Sequence, residues 1–327
     1  MVIKQNTKYS VAIIGCGDIG YFFDDKRDGD GALSHYKAFS QSSHFEVVAV
    51  AEPKPERRDI LSKEAGVLIF ADHIQMLKQI KADVVVVATP DATHEPILGD
   101  LLKYKPRLVF SEKPLTLRRA ATDNVITQYE REGIGLQVNF TRRFTGAFRD
   151  IKDLLTDNAL GDIQSVTAYY SRGLCHNGST LLDVFLWYWG DPMDIVVEGE
   201  QEGMPDDPTV SALLTYPNGM RARLVGLPAS MISFNEIDII GSQGRARVTY
   251  DYQLEIFDMK HNDMYPGYFV YHLKDQRKVD YTKSLPLAVD NIRGWLDRQE
   301  PLISPGKNSR DIDQLIDRVK EKTSCRI

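Results

Sequence analysis

Lys113, in the turn Glu112-Lys113-Pro114, is by type and setting the residue of this chain best suited to move a proton. It follows the short apolar run 108–111, so it stands at the carboxyl end of a strand, where open α/β sheets bind ligands. A lysine beside apolar or cationic neighbours can have its pKa lowered enough to exchange a proton with a substrate hydroxyl. The plainer alternative is a surface lysine in a turn. A second chemistry stands near the amino terminus, where Val11-Ala12-Ile13-Ile14 passes into Gly15-Cys16-Gly17-Asp18-Ile19-Gly20. The first glycine permits a tight turn, the second lets the backbone approach a pyrophosphate, and the third lets the next helix pack on the strand. A pyrophosphate would lie against the N–H groups of that helix's first turn, in the reach of Asp18 and Ile19.

A second apolar run, 45–51, ends at Glu52. A carboxylate there can accept from both hydroxyls of an adenosine ribose, and it disfavours a 2′-phosphate, so it argues for NAD over NADP. Lys54, Arg57 and Arg58 follow at once and leave NADP open; Glu52 could also simply begin a turn with Pro53. The interval from the glycines exceeds the usual ~20 residues. The acidic, aperiodic stretch 21–33 accounts for the excess and reads as a loop insertion, with helical spacing resuming at Ser34.

These residues need a βα scaffold. Helical segments at 56–65 and 74–80 and strands at 68–70 and 83–89 continue the rhythm, and the β-branched run DVVVVAT suits a parallel strand buried on both faces. Alternating strands and helices mean a doubly wound parallel sheet. Its fourth strand ends in Thr89-Pro90-Asp91-Ala92-Thr93-His94, which puts Thr89 and Pro90 at the crevice and His94 near its nicotinamide end.

With 327 residues, the chain is comfortable as two domains. It is 43% hydrophobic and 26% charged with a net charge of −6, which gives no reason to expect nucleic acid or an anionic membrane as partner. No apolar run approaches the ~20 residues of a membrane span. Three scattered cysteines and no metal-ligand spacing point to a cytoplasmic protein without a structural metal.

GCGDIG, VAVAE, TPDATH and EKPL, in this order, resemble the Gfo/Idh/MocA oxidoreductases, the glucose–fructose oxidoreductase and inositol dehydrogenase group. QVNFTRRF, a helix at 147–155 and LGDIQSV continue the resemblance to about residue 192. It implies a Rossmann domain, 1–140, followed by an α+β domain, 141–327, with a large, mostly antiparallel open sheet that forms a homodimer or homotetramer. It also implies hydride transfer between NAD or NADP and a hydroxyl-bearing carbon of a sugar, sugar nucleotide or cyclitol. Lys113 would touch both cofactor and substrate, beside Glu112, and Arg143 would line the substrate side. The SHYKAF and CHNGST stretches loosely resemble members associated with surface-polysaccharide sugars.

The chain departs from the family at its second signature, D-x-G-x-H-x-x-D. Counting back from Gly190-Asp191-Pro192, His176 stands at the first aspartate, Thr180 at the usual catalytic histidine and Asp183 at the last aspartate. A neutral hydroxyl cannot take up a proton as imidazole does, but it can orient a substrate or hold a water. Thr180-x-x-Asp183 equally fits a helix capping box. Either His176 assists Lys113 as acid/base, with Asn177, Thr180 and Asp183 holding substrate, or turnover is weak and the protein binds ligand or regulates.

Beyond this point 163–252 is mostly period two and reads as hairpins. The polar, poorly periodic 259–281 suits an extended loop or an irregular edge. Helices at 288–298 and 310–322 close the chain.

Overall fold

The computed structural model describes residues 8–24, 29–204, 207–228 and 233–324. Part of the 21–33 insertion, the first seven residues and Cys325 therefore lie outside the described residues. Two compact units emerge: Met1–Phe144 with Tyr281–Arg310, and Thr145–Asp280 with Asp311–Ile327.

In the first unit, β1 (Tyr9–Ile14), α1 (His35–Gln41), β2 (Phe45–Ala51), α2 (Pro55–Glu64), β3 (Leu68–Phe70) and α3 (His73–Gln79) form one half of the winding. β4 (Val84–Val87), α4 (His94–Tyr104), β5 (Leu108–Ser111), α5 (Arg119–Glu132) and β6 (Gly135–Val138) form the other. The strands pair in parallel in the order β3-β2-β1-β4-β5-β6, that of a dinucleotide-binding sheet. Every residue of β4, β5 and β6 is buried, which explains why these runs do not alternate. The strand order reverses between β1 and β4, and the crevice at that switch point is where open sheets bind ligands.

The second unit contains α6 (Gly146–Thr156), β7 (Ile163–Ser171), α7 (Ser179–Trp189), β8 (Asp194–Met204), β9 (Asp207–Thr215), β10 (Arg221–Leu227), β11 (Asn235–Gly241), β12 (Gly244–Val248), β13 (Gln253–His261) and β14 (Phe269–Lys278). Its eight strands run β14-β13-β12-β11-β7-β10-β9-β8, antiparallel throughout except for β7 beside β10. The helices contribute buried Phe148, Ile151, Leu181 and Phe185, and the strands contribute buried Val166, Ala168 and Tyr170. On other alternate positions, ion pairs cross between strands: Arg245 with Asp238, Arg247 with Glu255, and Arg223 with Glu198.

Of the two alternatives for residues 259–281, the structure takes the edge: they contain the end of β13 and all of β14, paired as a hairpin with a register shift at the margin of the sheet. This edge is exposed almost throughout, so no buried face imposes a period-two pattern on it. Residues 281–310, assigned by sequence to the second domain, pack with the first unit. There α8 (Ser284–Leu296) sends Leu285, Ala288, Val289 and Ile292 into the core that holds Val11, Ile13, Phe39 and Phe45. The last helix, α9 (Lys307–Ser324), contains the second boundary between the units. Among the described residues, no helix is long and apolar enough to cross a membrane.

Candidate functional site

The turn after β1 is built by close approach. Gly15 has φ +92, and a Cβ there would meet the Ala88 carbonyl oxygen at 2.5 Å, so the chain leaving β4 lies directly against the turn. A Cβ on Gly20 would collide with the Gly15 carbonyl, which leaves only glycine at this crossing. Gly17 is different: its missing Cβ would meet nothing nearer than Arg57 Nη1 at 3.6 Å. The middle glycine thus presents bare backbone to open space, as a dinucleotide's pyrophosphate requires.

Glu52 is 2% exposed, yet it is well satisfied. One carboxylate oxygen accepts from the Cys16 N–H at 2.9 Å, the other from the Lys54 N–H at 3.0 Å, and Arg57 lies 3.7 Å away. The residue therefore joins the glycine turn to the end of β2. Burial, helped by the Glu52 charge, pushes the Cys16 thiol up to about 12, so this cysteine is an inert packing group.

A cavity of about 660 Å³ opens on these residues. Of the residues the sequence singled out, Gly15, Gly17, Asp18, Ile19, Glu52, Thr89 and Pro90 line it. Phe23, Arg57 and the turn from β3 into α3 (Ala71, Asp72 and His73) join them; sequence reasoning had no signal for Phe23 or for these turn residues. The volume, the apolar walls and the exposed glycine backbone fit a dinucleotide. Gly20, His94, Glu112 and Lys113 are not in its wall.

His94 requires a correction. Its ring is fully buried, with Nδ1 2.7 Å from the Pro114 carbonyl and Nε2 2.9 Å from that of Thr89. It is a strut between the β4 turn and the Lys113 turn rather than a group facing the nicotinamide. Glu112 also turns inward: its Oε1 accepts from His35 Nε2 at 2.8 Å and from Asn139 Nδ2 at 2.7 Å. Burial alone would push the Glu112 carboxyl up, but those two bonds and the Lys113 charge hold it below the ordinary carboxylate range.

Lys113 follows β5 and is half-buried. Burial pushes its ammonium below the ordinary lysine value; the Glu112 and Asp91 charges oppose this and the Arg142 charge adds to it. The net direction is the one a proton-transferring lysine needs. Arg143, in the helical turn Thr141–Phe144, is largely buried in the same unit.

In the second unit the histidine-substituted motif forms a wide π-helical turn, Leu174–Gly178, that runs straight into α7. Asp207, at the start of β9, clamps it. Its two oxygens accept from the Cys175 N–H at 2.8 Å and the His176 N–H at 2.9 Å. Thr209 accepts from the Gly173 N–H at 2.9 Å, and Asn177 Nδ2 donates to the Ser171 carbonyl at 3.0 Å. Burial and the Asp207 charge raise the Cys175 thiol to about 11.

The capping box does not form. Thr180 already lies inside the first turn of α7, whose cap is Gly178 in helical conformation, and its hydroxyl donates to the Asn177 carbonyl at 2.6 Å. Because the preceding turn is itself helical, no extended residue is left to cap. Asp183 is buried one turn further on, and His176 is half-buried. No group of histidine, cysteine and carboxylate side chains that could hold a metal ion occurs among the described residues.

Known proteins supply the remaining evidence. A family described as "Oxidoreductase family, NAD-binding Rossmann fold" (GFO_IDH_MocA) matches residues 9–140. A dTDP-3,4-didehydro-2,6-dideoxy-alpha-D-glucose 3-reductase of Streptomyces violaceoruber is 28% identical over 162 residues, 49% of this chain and 44% of that protein. An inositol 2-dehydrogenase of Rubrobacter xylanophilus is 30% identical over 139 residues, 41% of this chain and 39% of that one. The match thus spans less than half the length of either relative. Among solved structures, a Bordetella pertussis dehydrogenase in complex with NADH and UDP-GlcNAcA superposes with a TM-score of 0.75 at 18% identity, covering 98% of each chain. An Agrobacterium radiobacter oxidoreductase in complex with NAD+, L-tartaric acid and magnesium gives 0.78 at 16%, covering 97% of each. At such identities these two structures establish the fold. Residues 9–140 match the Gfo/Idh/MocA oxidoreductase family and carry its NAD-binding Rossmann fold.

Proposed function

We propose that the protein is an NAD(P)-dependent oxidoreductase acting on a hydroxyl-bearing carbon of a sugar or sugar nucleotide, with Lys113 as its acid/base. The observation that carries this reading is the lowered Lys113 ammonium at the carboxyl end of β5, on the same sheet as the open glycine turn. The nicotinamide, when bound, supplies the hydride acceptor or donor. In the oxidation direction Lys113 takes the proton of the substrate hydroxyl, and in reduction it returns it. Glu112, fixed by His35 and Asn139, keeps a negative charge beside that lysine. His176, Asn177, Thr180, Asp183 and Arg143 are the proposed substrate contacts, and the open sheet of the second unit is the proposed surface of a homodimer or homotetramer.

Replacing Lys113 by alanine tests the reading. Turnover of a sugar-nucleotide panel, followed by NADH absorbance, falls about 10³-fold while NADH still binds. In the wild type, kcat/KM for oxidation rises with pH as the lysine loses its proton, and K113A loses that limb. Undiminished activity in K113A overturns the assignment.

One observation favours a second reading, a cofactor or sugar binder with a decayed site: the Thr180 hydroxyl is spent on its own backbone. Thr180→His separates the two. A rate gain of about 100-fold or more assigns the native protein to the decayed class, whereas a smaller change keeps Lys113 as the main acid/base.

A further inference from the structure

The 21–33 insertion interrupts the helix that should follow the glycine turn, and the structure shows how. The Ile19 carbonyl accepts from His35 N and that of Gly20 from Tyr36 N, at 2.9 and 3.1 Å. These partners stand sixteen positions apart, where a continuous helix would have four, so twelve residues are looped out of one helical ladder. The loop is pinned at both described ends. Asp24 accepts from the Leu33 and Ser34 N–H groups and from the Ser34 hydroxyl. Ala32 N donates to the Thr282 carbonyl, and a Cβ on Gly31 would lie 2.5 Å from the Thr282 hydroxyl.

What this construction holds in place is a pair of phenyl rings beside the glycine turn. Phe22 N and Phe23 N donate to the Gly17 and Asp18 carbonyls. The Phe22 ring carries the Arg57 guanidinium at 5.8 Å, and Arg57 Nη1 is the atom nearest the open face of Gly17. Phe23 is 49% exposed and lies in the wall of the cavity, next to Gly17, Asp18 and Ile19. A half-exposed phenyl on a cavity rim loses more water when a ligand enters than when the site is empty. Arg57 has a carboxylate only at 3.7 Å, a distance that leaves its N–H groups able to turn to a phosphate.

We propose that the start of the insertion is part of the cofactor site: Phe23 covers the bound dinucleotide at the glycine turn, and Phe22 holds Arg57 against one of its phosphates. This rests on the oxidoreductase reading above and assigns to this chain two cofactor-contacting residues, Phe23 and Arg57, and one positioning residue, Phe22.

Titrating NADH and NADPH by fluorescence, with dissociation followed by stopped flow, tests it on the wild type, Phe23→Ala, Arg57→Leu and Phe22→Leu. Phe23→Ala weakens both dinucleotides about tenfold through faster dissociation, and its melting temperature is unchanged because the ring packs against no core. Arg57→Leu weakens binding about tenfold: equal losses place its phosphate in the pyrophosphate, and a loss confined to NADPH places it on the adenosine ribose. Phe22→Leu follows the Arg57→Leu pattern at about a third of its size. If either Phe23→Ala or Arg57→Leu stays within about twofold of the wild type for both dinucleotides, the insertion is not part of the site. A wild type that binds neither dinucleotide overturns the oxidoreductase reading and this inference together.

Discussion

The glycine turn of the first unit and the Leu174–Gly178 turn of the second spend their polar groups in opposite ways. At the glycine turn the side chains that could crowd the backbone are missing, and Gly17 faces a cavity of about 660 Å³. At the second turn, successive N–H groups go to Asp207, the Asn177 amide goes to Ser171 and the Thr180 hydroxyl goes to Asn177. One turn is shaped to receive a ligand, and the other is organised to hold itself. Thr180 donates its one O–H proton to the Asn177 carbonyl and carries no group that titrates near neutral pH. On the reading proposed above, acid/base work is assigned to Lys113, whose ammonium is displaced downward by burial.

The comparison breaks most sharply at Gly15. Gly15→Ala places a Cβ at φ +92 against the Ala88 carbonyl, and NADH affinity falls by about 100-fold in a fluorescence titration. Wild-type affinity in that variant would mean the turn does not carry the cofactor. Next in size is Asp207→Ala, which leaves two N–H groups of the second turn without their acceptor. Its turnover with sugar nucleotides drops about tenfold and its melting temperature falls, while NADH affinity stays at the wild-type value. An equal loss of NADH binding would remove the distinction between the turns. The smallest effect belongs to Thr180→Val, which removes one hydrogen bond worth about 1 kcal/mol and lowers the melting temperature by about 2–4 °C. A rise in KM matches its proposed contact with substrate, whereas a collapse of kcat would assign Thr180 a direct role in the reaction.

The same contrast governs what the sequence could disclose. The sheet of the first unit was readable because its strands are buried on both faces and its glycines stand at fixed intervals. Glu52 was readable as the end of β2, but its bond to Cys16 N was not, since a carboxylate's choice of donor depends on the folded turn. His94 was misplaced because a histidine near a crevice and a histidine behind it have the same sequence context; the two carbonyls that hold its ring come from different strand ends. Asp207 left no trace, lying some thirty residues from the turn it clamps and reaching it only through the strand order β7-β10-β9. Residues 281–310 were assigned to the wrong partner for a similar reason: an amphipathic helix announces an apolar face, not the core that takes it.

The central claim is that the first unit carries a complete dinucleotide site whatever the second unit's turn does. It is tested most directly by titrating NADH into the wild type and into Thr180→Val and Asp207→Ala, with the blue shift of bound nicotinamide fluorescence as the readout. The account predicts saturable binding with one dissociation constant, shared by all three proteins within about twofold. Absence of binding to the wild type, or an affinity that falls with either substitution, would contradict it.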